Sequence, residues 1–489
     1  MTAATNDWDQ WIMEATIPHM QAAMTTGELT SCELVMLYLK RIAAIDSAGP
    51  KLNSVLEVNP DALHIAEALD AERKRKGVRG PLHGIPILIK DNLATCDKMH
   101  TSAGSLALAE CYAAADAFVV KQLRQAGAVI LGKTNLTEFA NFMTENMPNG
   151  YSSRGGQVLN PYGPGRFDVG GSSSGSGAAI AANLAAAAIG TETSGSILSP
   201  ASSNSLVGIK PTIGLASRSG IIPIAFSQDT AGPMARTVTD AALLLGAITG
   251  IDEEDPVTSA SAGKAFRDYT SFLKRDGLRG TRIGVARPFY FDSLTPEKKR
   301  IMEEAIQTLR DLGAQVIDPV AIPSASETWD YNVLLYEFKP SLNAYLGKLP
   351  PAWPIRTLRD VIRFNEAHAE ACLRYGQTIL LQSEETSGTL TEPAYLESRA
   401  RDLFLSRQQG IDCVMAEHKL DALLFPANYG ASIAAKAGYP SITVPGGYTP
   451  EGEPLGITFT ARAYEEPVLL RFAYAFEQAT RHRVAPQLG

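Results

Sequence analysis

Between Asp168 and Pro211 the chain reads DVGGSSSGSGAAIAANLAAAAIGTETSGSILSPASSNSLVGIKP. Serine and glycine crowd at residues 170–177 and 194–196, on either side of an alanine-rich segment of helical composition. These residue types suit covalent catalysis. A serine hydroxyl attacks a carbonyl or relays a proton, and glycine lets backbone N–H groups come close to a ligand. A flexible linker shares the composition, but a linker does not run on into AAIAANLAAAAIGTET and then the apolar residues 206–209. A hydroxyl nucleophile needs a base. The histidines form no cluster with metal-ligand spacing, and His83, beside Gly84 at a strand entrance, reads as structural. Lysine can serve when burial lowers its pKa. Lys90 closes the apolar stretch GIPILIK. From position alone it reads as a strand-end lysine that carries its ammonium out to water.

Two literal motif matches need weighing. Residues 127–134, GAVILGKT, fit the Walker A pattern, but the residues between the glycines form an apolar strand and cannot cradle a phosphate. Residues 171–175 fit GxSxG around Ser173, which leaves a serine esterase open. The later histidines, His368, His418 and His482, stand in no telling context for such an enzyme.

The elements that must position these groups follow from periodicity and turn signals. Residues 8–45 read as helical, with a capping box at Thr30-Ser31-Cys32-Glu33. Residues 61–76 form a helix ended by Gly77, 85–89 a buried strand, 118–126 a helix and 128–131 a second buried strand. A short helix over 137–143 and a long loop over 146–171 precede the serine-glycine region. Near the end, 422–425, 441–444 and 456–460 are strand-like, and 467–480 is a closing helix. Residues 320–420 are more helical, more charged and richer in aromatics; they cover a site or form a peripheral layer. The alternation of short strands and helices gives an α/β class with a large sheet.

Composition narrows the function classes. The chain has 489 residues, 45% of them apolar, and a net charge of −8. Its longest basic stretch is residues 73–76, which argues against a nucleic-acid surface. Five cysteines at 32, 96, 111, 372 and 413 show no regular spacing and read as free thiols in a reducing compartment. The N-terminus MTAATNDWDQWI lacks the regions of a signal peptide, and the alanine run is not a convincing membrane span. A cytoplasmic protein with no membrane or nucleic-acid partner is expected.

Several long motifs in order resemble the amidase signature family: GPLHGIPILIKDN, TSAGS, GAVILGKTNLTEF, GGSSSGSGAAIAA, GTETSGS, GIKPTIGLASRSGIIP and QDTAGPMART. The match is strong over residues 30–250 and weaker through FPANYG, AGYPSITVPGGY and GITFTA. WIMEATI, SSRGGQVLNPY, GTETSGS and LLYEFK are most similar to the bacterial peptide amidase branch. The resemblance implies a Ser–cis-Ser–Lys triad of Ser196 as nucleophile, Ser172 after a cis peptide bond as relay, and Lys90 as base. It places the oxyanion hole at Thr193, Ser194 and Gly195; Thr191 reads either as a bond to Ser172 that holds the relay in line or as a simple turn hydroxyl. It implies one domain over residues 1–489, with a large central mixed β-sheet covered by helices on both faces. Within it, residues 1–76 form an N-terminal helical layer and 77–250 the signature core. Residues 320–420 form a variable helical insertion over the substrate site, and 421–489 the strands and helix that complete the sheet. No cofactor and no metal are implied.

The chain departs from GTDTGGSIR, common in the family, by carrying Glu192, Ser194 and Leu198. Loss of the arginine at 198 argues against small dicarboxylic half-amides. It also argues against the A-type chain of glutamyl-tRNA amidotransferase, which needs partner chains as well. The expected substrates are peptide, acyl or aryl amides with a neutral or apolar acyl group, with esters and carbamates chemically accessible. A monomer or homodimer is expected.

Overall fold

Stretches such as PILI and AVIL are apolar at every position, so a sheet made of them must be covered on both faces. In the computed structural model, which describes residues 8–488, these two strands are buried along their whole length. Residues 1–7, part of the segment read for a leader, lie outside the described residues. The strands in chain order are β1 Val55–Val58, β2 Pro86–Lys90, β3 Val129–Thr134, β4 Tyr151–Ser152, β5 Gly156–Gln157, β6 Ala187–Glu192, β7 Val207–Lys210, β8 Thr230–Ala235, β9 Arg282–Val285, β10 Gln315–Ile317, β11 Ala422–Pro426, β12 Ser441–Tyr448 and β13 Pro454–Thr460. Eleven join one sheet in the order β1-β3-β2-β6-β8-β7-β12-β13-β11-β9-β10, and β4 pairs with β5 alone. The sheet is mixed: β2 runs parallel to β3 and β6, while β6 is antiparallel to β8 and β12 to β13. This is the large mixed sheet that the resemblance implies.

Most expected elements are present. The capping box at Thr30 is complete, with Glu33 N–H on Thr30 Oγ1 at 3.1 Å and Thr30 N–H on Glu33 Oε2 at 2.8 Å. The helices Ala62–Lys76, Phe118–Gln125 and Glu466–Thr480 match their expected positions. The five cysteines are unpaired.

Three readings need correction. The alanine-rich segment is not one helix. The helix Ser174–Ala181 ends in a turn where Leu184 N–H donates to Ala179 C=O and Asn183 takes a φ of 58°. The remaining alanines enter β6, between β2 and β8, so tertiary packing overrides their helix propensity. The short helix over 137–143 is a left-handed turn, with φ of 48°, 55° and 70° at Phe139, Ala140 and Asn141. Its conformation is fixed by Phe139 N–H on Ala103 C=O and by the Phe139 ring against Phe338. The long loop over 146–171 contains the β4–β5 hairpin.

Within residues 320–420 the helices Asn332–Gly347, Leu358–Ala367 and Thr378–Glu385 build a second apolar core. It joins Phe338, Leu342 and Leu346 to Phe139, Phe142, Ile222 and Ile224. The helical segment is therefore packed onto the turns that flank the serine-glycine region. Phe338 lies edge-on to both Phe139 and Phe142, so Phe338→Ala should destabilise the protein by about 3–5 kcal/mol, the usual cost of removing a buried aromatic ring. A chemical-denaturation midpoint unchanged from the parent would contradict this packing.

Candidate active site

Lys90 is the last residue of β2, and its side chain turns inward instead of reaching water. It is 0% exposed. Its Nζ lies 2.8 Å from Ser172 Oγ, 2.9 Å from Thr191 Oγ1 and 3.2 Å from the Thr191 carbonyl. Burial pushes the Lys90 pKa down to about 7, against the opposing pull of the Asp229 and Glu192 charges.

The Gly171–Ser172 peptide bond is cis, as the resemblance implies. Thr137 N–H holds the Ser172 carbonyl at 3.1 Å, and Ser173 N–H donates to the Ser196 carbonyl at 3.1 Å. That second bond fastens the helix start to the turn carrying Ser196. Gly175 follows two residues later, where a Cβ would collide with the Ser54 and Asn135 carbonyl oxygens. Ser172 is 0% exposed and Ser196 7%, so the groups step outward from the lysine towards the surface. The Ser172 and Ser196 hydroxyls make no hydrogen bond to each other.

Residues 193–196 form the turn expected to hold an oxyanion. Gly195 has a φ of 85°, a region glycine enters freely. Among the described residues, the N–H groups of Ser194, Gly195 and Ser196 have no protein acceptor. Thr193 Oγ1 donates to Asp229 Oδ1 at 2.5 Å, and burial pushes the Asp229 carboxyl up to about 6. The Ser194 side chain is exposed, with its Oγ 3.4 Å from Ser432 Oγ.

Thr191 does not bond Ser172; it bonds Lys90, and Asn92 Nδ2 donates to the same Thr191 hydroxyl at 3.0 Å. Asn92 went unnoticed in the sequence. Its place two residues after Lys90, at the end of a buried strand, was the signal that could have found it. Ser173 is fully buried, and its hydroxyl is engaged by the Thr191 backbone, donating to the carbonyl at 3.1 Å and accepting from the N–H at 3.3 Å. It is not poised to attack a substrate. The Walker A lysine, Lys133, sits inside β3 and donates to the Leu93 carbonyl and Thr101 Oγ1. His83 is buried against the Leu69 carbonyl, a structural role.

A cavity of about 720 Å³ opens beside the cluster. Asn92, Thr191, Thr193 and Asp229 lie on its wall, with Ile222 and Tyr345 among its apolar members; Ser196 is not on that wall. The helix Asn332–Gly347 contributes Ser341, Ala344 and Tyr345. Among the described residues, no group of three or more His, Cys, Asp or Glu side chains is placed to hold a metal, and no helix is long and apolar enough to cross a membrane.

The family model for amidases matches residues 33–470. The chain belongs to the amidase family. A peptide amidase from Stenotrophomonas maltophilia is 47% identical, with 97% of this chain and 99% of that one covered and a TM-score of 0.91. An amidase family protein from Bacillus anthracis is 40% identical, covering 98% of this chain and 93% of that one, with a TM-score of 0.93. The A-type chain of the glutamyl-tRNA(Gln) amidotransferase of Alkalilimnicola ehrlichii is 34% identical over 97% of this chain and 99% of its own length. This amidase is thus an amide-hydrolysing enzyme built on the amidase signature fold.

Thr191→Val keeps the shape of the side chain but removes one of the three acceptors of Lys90, which keeps Ser172 Oγ and the Thr191 carbonyl, and leaves Asn92 Nδ2 only the Ile222 carbonyl at 3.4 Å. Buried donors left unpaired cost about 1–3 kcal/mol, so a stability loss of that order is expected in denaturant titration. An unchanged midpoint would mean that the Thr191 hydroxyl does not hold these two groups.

Proposed function

We propose that this amidase hydrolyses carboxamides with neutral or apolar acyl groups, peptide C-terminal amides foremost, through an acyl-enzyme on Ser196. The observation that carries the reading is the buried Lys90 amine at 2.8 Å from Ser172 Oγ. Neutral Lys90 takes the proton of Ser172 as Ser172 takes that of Ser196. Ser196 Oγ bonds to the acyl carbon, and the carbonyl oxygen gains negative charge facing the free N–H groups of the 194–196 turn. The proton returns through Ser172 to the leaving nitrogen, and the C–N bond breaks. A water molecule repeats the sequence: its proton passes to the relay, its oxygen bonds to the acyl carbon, and Ser196 leaves reprotonated with the acid released.

The cavity supports a neutral acyl group. Leu198, in the place of the missing arginine, is buried and off the cavity wall. Arg218 is on the wall, but Asp255 engages it through Nε at 2.9 Å and Nη2 at 2.5 Å, so its guanidinium is not free for a substrate carboxylate. A second reading, one chain of an amidotransferase complex, draws on the 34% identical A-type chains and requires partner chains for activity. Release of ammonia from a peptide amide by the purified lone chain decides between them. A cytoplasmic location and a monomeric or homodimeric state complete the proposal.

Ser196→Ala should abolish turnover and block labelling by a fluorophosphonate; an adduct mapped to Ser173 would overturn the assignment. Lys90→Arg, which cannot release its proton, should lose more than the roughly 10²–10⁴-fold typical of general acid–base assistance, because the nucleophile is disabled with the base. A group held at a pKa of about 7 is neutral only above that pH, so kcat/KM should rise through about pH 7 and hold on the alkaline side. A rate that falls steadily from about pH 6 to pH 9 would contradict the base assignment. A peptide amidase 47% identical to this chain is known in complex with the competitive inhibitor chymostatin. Chymostatin should likewise inhibit this enzyme in competition with a peptide amide.

A further inference from the structure

Glu192 ends β6 opposite Thr230 of β8 and is 1% exposed. Its side chain bridges the two ends of the turn that carries Ser196. Oε2 accepts the N–H of Ile197 at 2.7 Å and the N–H of Leu198 at 3.0 Å. The backbone of residues 193–196 is thereby closed into a loop whose N–H groups are left free. The other oxygen, Oε1, is buried and has no hydrogen-bond partner. A neutral glutamine oxygen could accept the same two N–H groups, so the cap does not by itself account for a buried charge. The charge faces two lysines, Lys90 on β2 and Lys210 on β7.

We propose that Glu192 is a positioning residue for amide hydrolysis, with two separable duties: its oxygen clamps the Ser196 turn, and its charge sets the field at Lys90. This rests on the roles given above to Ser196 and Lys90. The groups that face Lys90 are Glu192 from β6 and Asp229 from the turn before β8. Asp229 is itself held by Thr193 Oγ1 and by the N–H groups of Ile224 and Ala225. Beyond Glu192, Lys210 donates to the Tyr439 carbonyl at 2.6 Å and faces Glu466 of the closing helix. Removing the Glu192 charge takes away a partner that favours the ammonium form of Lys90, so the amine should become neutral at lower pH. Removing the cap as well should free the turn, and misplacement of a reacting atom by about 1 Å costs on the order of 10²-fold in rate.

Glu192→Gln, Glu192→Asp and Glu192→Ala separate these duties. Peptide-amide turnover is followed by ammonia release across the pH range, with fluorophosphonate labelling of Ser196 as a second readout. Glu192→Gln should keep kcat within about tenfold and move the acidic limb of kcat/KM down by about half a pH unit or more. Glu192→Ala should lower kcat by about 10²-fold with KM within about threefold, and slow the labelling. Glu192→Asp, which restores the charge on a shorter arm, should recover kcat to within about tenfold of the parent. An unmoved limb in Glu192→Gln, or an Ala variant with kcat within about threefold of the parent, overturns the proposal. If the Ala variant does not fold, the Gln limb alone decides. Ser196→Ala is run alongside. If it retains turnover, the reading of the site fails; if it is inactive while the Glu192 variants match the parent, only this inference fails.

Discussion

The proposed chemistry depends on keeping one amine dry. Water would hold Lys90 charged, and a charged lysine cannot accept a proton. β2 lies between β3 and β6 in the sheet, and all five of its residues are buried. The amine at its end meets three oxygens, Ser172 Oγ, Thr191 Oγ1 and the Thr191 carbonyl, at 2.8, 2.9 and 3.2 Å. Those three satisfy an ammonium completely. When the proton leaves, two N–H groups remain with a lone pair. The Thr191 carbonyl can only accept, so it retains one N–H. With Thr191 Oγ1 taking the other, the lone pair faces the Ser172 hydroxyl, which changes from acceptor to donor. Both protonation states of Lys90 are thus hydrogen-bonded without a heavy atom around the amine moving, as the proposed base requires.

Burial alone does not set Lys90 apart. Lys133 and Lys210 are equally inaccessible, and burial pushes both down to about 8. Their partners differ. Lys133 meets the Leu93 carbonyl and the Thr101 hydroxyl, and Lys210 meets the Tyr439 carbonyl. Of the three, Lys90 is the one whose amine touches a serine beside the cavity. Thr191 and Asn92, both on the cavity wall, connect that amine to the space a substrate would occupy.

Legibility followed the physics of each segment. Stretches buried on both faces announced themselves by composition, so β2, β3, β11 and β12 were found from sequence to within a few residues at their starts. β8 was missed because TAGPMA carries a glycine and a proline that ordinarily argue against a strand. The alanines of β6 pointed to helix because propensity is local, whereas the strand is dictated by neighbours distant in sequence. Lys90 is the sharpest case. Periodicity placed it at a strand end, where lysines usually reach water; only the ordered motifs gave it another role. Thr191 was assigned to the wrong partner for a related reason. Spacing brings it near Ser172, but which oxygen receives which donor is decided by side-chain direction across strands. The partners of Asn92 and Glu192 became visible once the donors around them could be counted.

The helical segment holds the Asp229 turn through a buried carboxylate. Glu337, buried in the helix Asn332–Gly347, accepts the Ser227 N–H at 2.9 Å and the Tyr395 hydroxyl at 2.9 Å. Ser227 belongs to the turn between Ile222 and Asp229, whose members line the cavity and whose Asp229 holds Thr193 and faces Lys90. The same helix supplies Ser341, Ala344 and Tyr345 to the cavity wall. The wall a substrate would meet and the charge felt by the lysine are therefore fixed by one packed unit, with Phe338 anchoring it onto Phe139 and Phe142. A change of cavity shape made in this helix is transmitted to the Asp229 turn unless the Glu337 bonds are kept. The helix Asn332–Gly347 and the Asp229 turn are thus coupled at that carboxylate, so the cavity wall and the charge facing Lys90 cannot be reshaped independently.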